Sequence, residues 1–133
     1  MKKFLLDTNI CIYFLKGQFD LHKKIKEIGE ENCFLSEMTI AELKFGVENS
    51  LQKEKNRKNH EAFQAKFKIL PVFPSLDIYA KEKARLKTKG RILDDFDLLI
   101  GATAIHNNMT LATRNVSDFD RLEGIIIEDW TSE

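Results

Sequence analysis

Four acidic residues, Asp7, Glu42, Asp97 and Asp118, each fall beside a boundary between a short apolar run and a helix-prone one, with hydroxyls and amides close by. The densest boundary is Phe4-Leu5-Leu6-Asp7-Thr8-Asn9, where three apolar residues give way at once to a carboxylate, a hydroxyl and an amide. The others are Thr39-Ile40-Ala41-Glu42, Phe96-Asp97-Leu98-Leu99, and Thr113-Arg114-Asn115 with Asp118 three residues on. Carboxylates gathered in one place raise one another's pKa unless a cation neutralises them. A hard divalent ion bound by one or two of them, keeping waters for phosphate oxygens, is the usual Mg²⁺ arrangement. Such a site orients water, polarises a phosphoryl group and stabilises the leaving oxygen, so phosphodiester hydrolysis is the chemistry this set would serve.

Each acid also has an ordinary reading. Asp7 could cap the helix that follows it, Thr39-x-x-Glu42 matches a capping box, Asp94 or Asp95 could cap a helix whose dipole favours Asp97, and Asp118 could lie in a surface turn. What argues against four separate coincidences is the placement that the elements impose.

The first strand ends at Asp7, and residues 10–15 continue as a short helix ending near Gly17. A second helix is expected from Asp20, a good N-cap, with Leu21, Ile25 and Ile28 on one face. Cys33-Phe34-Leu35 reads as a second strand ending at Ser36. Thr39 to Glu42 opens a third helix with Ile40, Leu43 and Val47 inward. Residues 52–68 are charged and helix-prone, with Ala62, Phe63 and Phe67 as their apolar side. Residues 69–73 contain Pro71, so a strand there must be an edge strand or begin after the proline. Ser75 is expected to cap a further helix that Gly90 ends. Residues 94–105 form the most apolar helix, which must be buried, with Gly101, Ala102 and Ala104 allowing close packing. Residues 110–113 and 125–127 are strands too continuously apolar for a half-exposed sheet, which favours a parallel sheet covered on both faces. Alternation of strands and helices then gives a three-layer α/β/α sandwich. In a parallel sheet the carboxyl ends of strands and the amino ends of the helices lie on one edge, which gathers all four acids.

The 133 residues suit one domain, 1–133, without repeats or linkers. A formal net charge of zero argues against an indiscriminate polyanion binder. Charge is nevertheless uneven. Residues 52–68 carry six Lys/Arg against two Glu, residues 79–91 six against one, and residues 114–133 two Arg against six acids. The basic helices, with Lys83 and Lys87, are expected to flank the acidic groove and meet phosphates. Cys11 and Cys33 sit in apolar company and read as buried thiols of a reducing compartment. Met1-Lys2-Lys3 and the apolar residues after it resemble a signal peptide, but Asp7 and Asn9 interrupt them and no small-residue cleavage site follows. No apolar run approaches the length of a membrane span. A cytoplasmic protein with no membrane partner is expected. The three histidines, His22, His60 and His106, suit surface or helix-ending roles. No His/Cys spacing suits structural zinc, and neither a P-loop nor a G-x-G-x-x-G run occurs.

At these motifs the sequence closely resembles the PIN-domain ribonucleases, specifically the VapC toxins of bacterial toxin–antitoxin pairs. The matching pieces are Leu5-Leu6-Asp7-Thr8-Asn9, Thr39-Ile40-Ala41-Glu42-Leu43 with Gly46, Phe96-Asp97-Leu98-Leu99-Ile100-Gly101-Ala102, Thr113-Arg114-Asn115-x-x-Asp118-Phe119, and the ending Glu128-Asp129-Trp130. The resemblance implies a five-stranded parallel sheet and a Mg²⁺- or Mn²⁺-dependent endoribonuclease. It also implies a homodimer inhibited by a VapB-type antitoxin whose tail enters the active-site groove. Asp7, Glu42 and Asp97 match the family's core acids, with Asp7 and Asp97 as metal ligands. Relatives differ over whether the fourth acid aligns with Asn115 or Asp118; Asp118 is taken as the acid and Asn115 as a neutral ligand or phosphate contact. Thr8, Asn9 and Thr113 join Asn115, Lys83 and Lys87 as expected contacts of the substrate side. Similar proteins act on structured RNA such as initiator tRNA, which makes tRNA an expected substrate.

Two other classes compete. A signalling receiver domain has similar length and an acidic Mg²⁺ pocket, but should carry an acid pair at strand one, an Asp after strand three and a Lys after strand five. Here strand one offers Asp7 alone, Phe73-Pro74-Ser75 has no Asp, and Ile127 leads to Glu128. A catalytically inactive binding module would differ from the enzyme in lacking metal-dependent RNA cleavage.

Overall fold

The computed structural model describes residues 2–132. Its elements, in chain order, are β1 (Phe4–Leu6), α1 (Thr8–Leu15), α2 (Leu21–Ile28), β2 (Cys33–Ser36), α3 (Glu37–Glu48), α4 (Lys53–Gln64), β3 (Lys68–Leu70), α5 (Leu76–Thr88), α6 (Asp95–His106), β4 (Thr110–Thr113), α7 (Val116–Phe119) and β5 (Ile126–Asp129). All strand pairs are parallel, in the order β3-β2-β1-β4-β5. A receiver domain has the doubly wound order 2-1-3-4-5, so that reading falls on topology.

Alternating side chains send the central strand into two cores. Phe4 and Leu6 join Ile10, Cys11 and Phe14 of α1 and Leu43 and Phe63 on one face. Leu5 joins Leu86, Leu98 and Leu111 on the other. β1, β2 and β4 are buried throughout, as three central strands covered by helices on both sides must be. β5 departs from the expected full burial: it is an edge strand, and Ile126 is 62% exposed. β3 is the other edge and stops before Pro71, whose missing N–H could not extend the ladder.

Two expected caps are replaced. Asp20 stands at the N-cap of α2 but in left-handed backbone and without a side-chain cap bond. Ser75 precedes α5 without capping it; its buried hydroxyl instead donates to Thr103 Oγ1 at 3.4 Å. Helix α3 begins two residues before Thr39, with the Ser36 hydroxyl accepting from the Met38 N–H.

Buried helix α6 is capped by Asp94, whose carboxylate accepts from the Phe96 N–H. Its Gly101 is the point of close approach: a Cβ there would meet Leu122 Cδ1 at 2.3 Å. Gly101→Val is expected to lower stability by about 2 kcal/mol, because the overpacking cost exceeds anything gained by removing a helical glycine. Chemical denaturation checks this, and a variant as stable as the wild type would mean that Leu122 yields freely. Among the described residues, no helix is long and apolar enough to cross a membrane.

Candidate active site

Asp7 leaves β1 in extended backbone and becomes the N-cap of α1, its Oδ1 accepting from the Thr8 N–H at 2.8 Å. The capping reading is therefore true, and it uses one oxygen. The other, Oδ2, accepts from the Thr113 hydroxyl at the end of β4, also at 2.8 Å. Thr113 Oγ1 in turn accepts from the Asn115 N–H at 2.9 Å, which ties the loop after β4 to the same carboxylate. Asp7 is 2% exposed and Thr113 fully buried.

Glu42 lies one turn into α3, and the start of that helix at Glu37 removes the capping-box reading: Thr39 is inside the helix and cannot be its N-cap. What Glu42 does instead is accept from the Thr8 hydroxyl at 2.6 Å. A hydroxyl has one proton, so Thr8 must accept in its contact with Thr39 Oγ1 at 3.0 Å, and Thr39 donates. A relay Thr39 to Thr8 to Glu42 thus aims the carboxylate. Thr39 stands in the motif as a helix start and capping-box residue, not as a site residue; its i, i+3 relation to Glu42, which places both on one helix face, is the signal for the role it takes here.

Asp97, half-buried in the first turn of α6, completes the group. Its carboxyl is pushed up to about 7 by burial first, then by the charges of Asp7, Asp94, Glu42 and Asp118. Asp7 is pushed up to about 6, chiefly by burial, against the lowering bonds from Thr113 and Thr8 and with a further push from Glu42. Asp118, on α7, pairs with Arg121 at 3.6 Å and still raises Asp97. Among the described residues Asp7, Glu42 and Asp97 have no ion pair. Asn9 and Asn115 stand half-buried at the same edge. Lys87 is exposed, while the Lys83 ammonium donates to Asp95 at 2.9 Å and to Tyr79 Oη at 3.2 Å. Lys83 and Lys87 share a notch of about 250 Å³ with Ile92 and Leu98.

The donor set fits a hydrated divalent ion. Among the described residues no three His, Cys, Asp or Glu side chains converge into a cage. Mg²⁺ requires none, since one or two carboxylates and retained waters suffice. Asp7, at the end of β1, and Asp97, in the first turn of α6, are the pair that could hold one, and of the charges around Asp97 that of Asp7 raises it most.

These shifts carry a stability consequence with a definite sign. An acid whose folded pKa lies above its unfolded value stabilises the fold only while protonated, so that contribution is complete below about pH 3.8 and disappears as pH rises through about 6 for Asp7 and 7 for Asp97. Metal-free protein should therefore melt lower at pH 8 than at pH 5. For Asp7 the whole shift, lost between about pH 3.8 and 6, sets an upper limit of about 3 kcal/mol, of which roughly one pKa unit, about 1.4 kcal/mol, falls between pH 5 and 8. Half-exposed Asp97 adds less than its shift suggests because solvent screens it. Calorimetric melts in EDTA check this; a melting point that rises from pH 5 to 8 would contradict it.

The PIN domain family model matches residues 4–125. Ribonuclease VapC2 of Rickettsia felis is 34% identical over 96% of this chain and 97% of the relative. The tRNA(fMet)-specific endonuclease VapC of Salmonella typhimurium is 31% identical over 98% and 99%. Among solved structures, DNA-bound VapBC from Salmonella typhimurium superposes with a TM-score of 0.90 at 30% identity, covering 98% of this chain and 99% of that one. VapBC2 from Rickettsia felis, bound to a promoter DNA fragment, gives 0.88 at 31%, covering 94% and 96%. With its sheet order, its edge of acids and these matches along nearly its whole length, the chain belongs to the PIN-domain family and, within it, to the VapC ribonucleases.

Proposed function

We propose that this protein is a divalent-metal-dependent endoribonuclease of the cytoplasm, the toxin of a toxin–antitoxin pair, and that structured RNA, tRNA included, is its substrate. The observation that carries the reading is that Asp7, Glu42, Asp97 and Asp118 share one sheet edge, near enough that the charges of the other three raise Asp97, with Asp7, Glu42 and Asp97 unpaired among the described residues and Asp7 and Asp97 pushed toward neutrality. Such repulsion costs the fold stability, and a bound cation would relieve it. When bound, Mg²⁺ or Mn²⁺ would supply an oriented water and charge for the phosphoryl oxygens. Asp7 and Asp97 would hold the ion, Asp7 fixed in place by the Thr113 hydroxyl and the Thr8 N–H. Glu42, aimed by Thr8 and with Oε2 left over, takes the proton from the attacking water. Asn9 and Asn115 offer neutral contacts to phosphate at the rim.

Two partners follow. A groove of about 610 Å³ runs from Glu42 between α1, α3 and α4, lined by Phe14, Leu43 and Phe63 with Lys16, His60 and Lys66 at its sides. It suits the tail of a VapB-type antitoxin, by analogy with the VapBC complexes among the structural relatives. A homodimer is the expected assembly. Incubating purified protein with total RNA and Mg²⁺ and mapping new 5′ ends tests the reading: discrete cuts in a few structured RNAs, suppressed by the antitoxin, support it. Intact RNA under every divalent ion tried would make this an inactive binding module.

The relay gives a sharper expectation. Thr8→Val removes the proton donor that aims Glu42, so kcat should fall about tenfold while KM stays near wild type, the scale of one lost hydrogen bond. Thr8→Ser should restore most of it. A Thr8→Val enzyme at full speed would mean that Glu42 needs no aiming.

A further inference from the structure

Helix α1 ends by turning an aromatic side chain back onto its own flank. Gly17, at φ 71°, donates its N–H to the Phe14 carbonyl at 3.0 Å, and the Gln18 N–H reaches the Tyr13 carbonyl at 2.9 Å. This is a Schellman closure, in which a left-handed glycine lets the chain reverse. The reversal returns Phe19 to Tyr13, with ring centroids 5.0 Å apart in an edge-to-face arrangement at 78°. Phe19 and the following Asp20 both adopt left-handed backbone, at φ 60° and 54°, without being glycine. Asp20 makes no cap bond, and Phe19 remains 43% exposed. Strained backbone that presents an aromatic ring to solvent points to a use for that ring.

The third member of the cluster comes from the active site. Arg114 directly follows Thr113, whose hydroxyl holds Asp7. Its guanidinium carbon lies 5.7 Å from the Tyr13 centroid and 5.5 Å from that of Phe19, and Nη1 donates to Tyr13 Oη at 3.2 Å. Unlike Arg57, Arg85 and Arg121, Arg114 has no ion pair among the described residues, and it is exposed. A nuclease built on an acidic edge repels its own substrate unless positive charge stands nearby. Lys83, on the α5 side, is tied to Asp95. Arg114 is a cation outside any ion pair among the described residues, next in the chain to the hydroxyl that holds Asp7 and near enough to Asp129 to lower that acid. A planar guanidinium set beside two partly open rings, at the third corner of a near-equilateral triangle with them, is equipment with which proteins take an unpaired base and its phosphate.

We propose that Tyr13, Phe19 and Arg114 form a nucleotide platform on which an unpaired base of the RNA, beside the scissile phosphate, stacks on Phe19 while Arg114 contacts a phosphate of the same strand. This rests on the RNA-cleaving reading and extends it to where the strand lies. The platform is on a different flank of α1 from the groove, which is lined by Ile12, Phe14, Leu15 and Lys16 and not by Tyr13. Loss of the platform should therefore weaken RNA without weakening a partner seated in the groove.

The test measures RNA binding in EDTA, so that no cleavage intervenes, using a hairpin with 2-aminopurine in its single-stranded loop. Wild-type protein should bind it and quench the fluorescence by stacking. Phe19→Leu should abolish the quench and raise Kd about tenfold, the low end for one stacked base. Arg114→Gln should raise Kd similarly and reduce the slope of log K against log salt by roughly 0.7, one phosphate contact on a single strand. Phe19→Leu should leave that slope unchanged. Binding and quenching at wild-type level in both variants would overturn the platform, and so would a lowered melting temperature with RNA affinity intact, which would make the cluster a helix-end staple. Weakened self-association or partner binding with unchanged RNA affinity would equally overturn it. If wild-type protein cleaves RNA with Mg²⁺ while both variants match it, the platform alone fails. If the wild type neither binds nor cleaves RNA, the underlying function fails too.

Discussion

Asp7→Asn and Asp97→Asn should each cut RNA at least about a thousandfold more slowly than wild type, yet melt no lower, and at pH 8 in EDTA higher. The first effect follows from losing a ligand of the proposed ion: several kcal/mol of transition-state charge stabilisation depend on it, at about 1.4 kcal/mol per factor of ten. The second follows from the raised carboxyls, to about 6 and about 7, which oppose folding when charged and metal-free. Removing one of those charges relieves its neighbour as well, and a net gain of about 1–2 kcal/mol is expected after allowing for poorer hydrogen bonds. In Asp7→Asn the new side-chain amide keeps an oxygen for the Thr8 N–H, and the Thr113 hydroxyl can turn to accept from its NH₂ group. Thermal melts at pH 5 and 8 separate the readings: variants that melt far below wild type at both would make these carboxylates structural caps.

Glu42→Gln carries the second large expectation. The substitution preserves length and leaves an oxygen to accept from Thr8, so the relay from Thr39 survives and stability should stay within about 0.5 kcal/mol, as for a change that removes no packing. Charge alone is lost. Cleavage should fall by at least about two orders of magnitude, the usual scale for removing a general base. The rate must be compared at saturating Mg²⁺, since weaker metal binding would imitate a catalytic loss. Wild-type activity there would reduce the site to Asp7, Asp97 and the loop after β4.

Much of this site is legible in the sequence because it is a consequence of parallel-sheet geometry. Asp7 after three apolar residues, and Asp97 at the start of the most apolar helix, are bound to arrive at one edge once the sheet is parallel. Glu42 is legible for its place but not for its partner. Thr39 reads as the helix start, whereas Ser36, buried at the end of β2, already caps α3. Side-chain bonds between distant segments leave no local trace. Thr8 to Glu42 spans 34 positions and Arg114 to Tyr13 spans 101. Lys83 looks free for phosphate because its partner Asp95 lies across the α5–α6 turn, and that pairing depends on how the two helices dock. β5 misleads for the opposite reason: three isoleucines suggest burial on both faces, but a strand at the end of the order has one side open.

Cleavage of a 5′-labelled structured RNA across a Mg²⁺ titration, with wild-type protein, Asp7→Asn and an EDTA control side by side, tests the acidic metal site most directly. The account predicts wild-type cleavage that rises with Mg²⁺ to a plateau, vanishes in EDTA and is absent from Asp7→Asn at every concentration. Cleavage that persists in EDTA, or that Asp7→Asn performs as well as wild type, would contradict it.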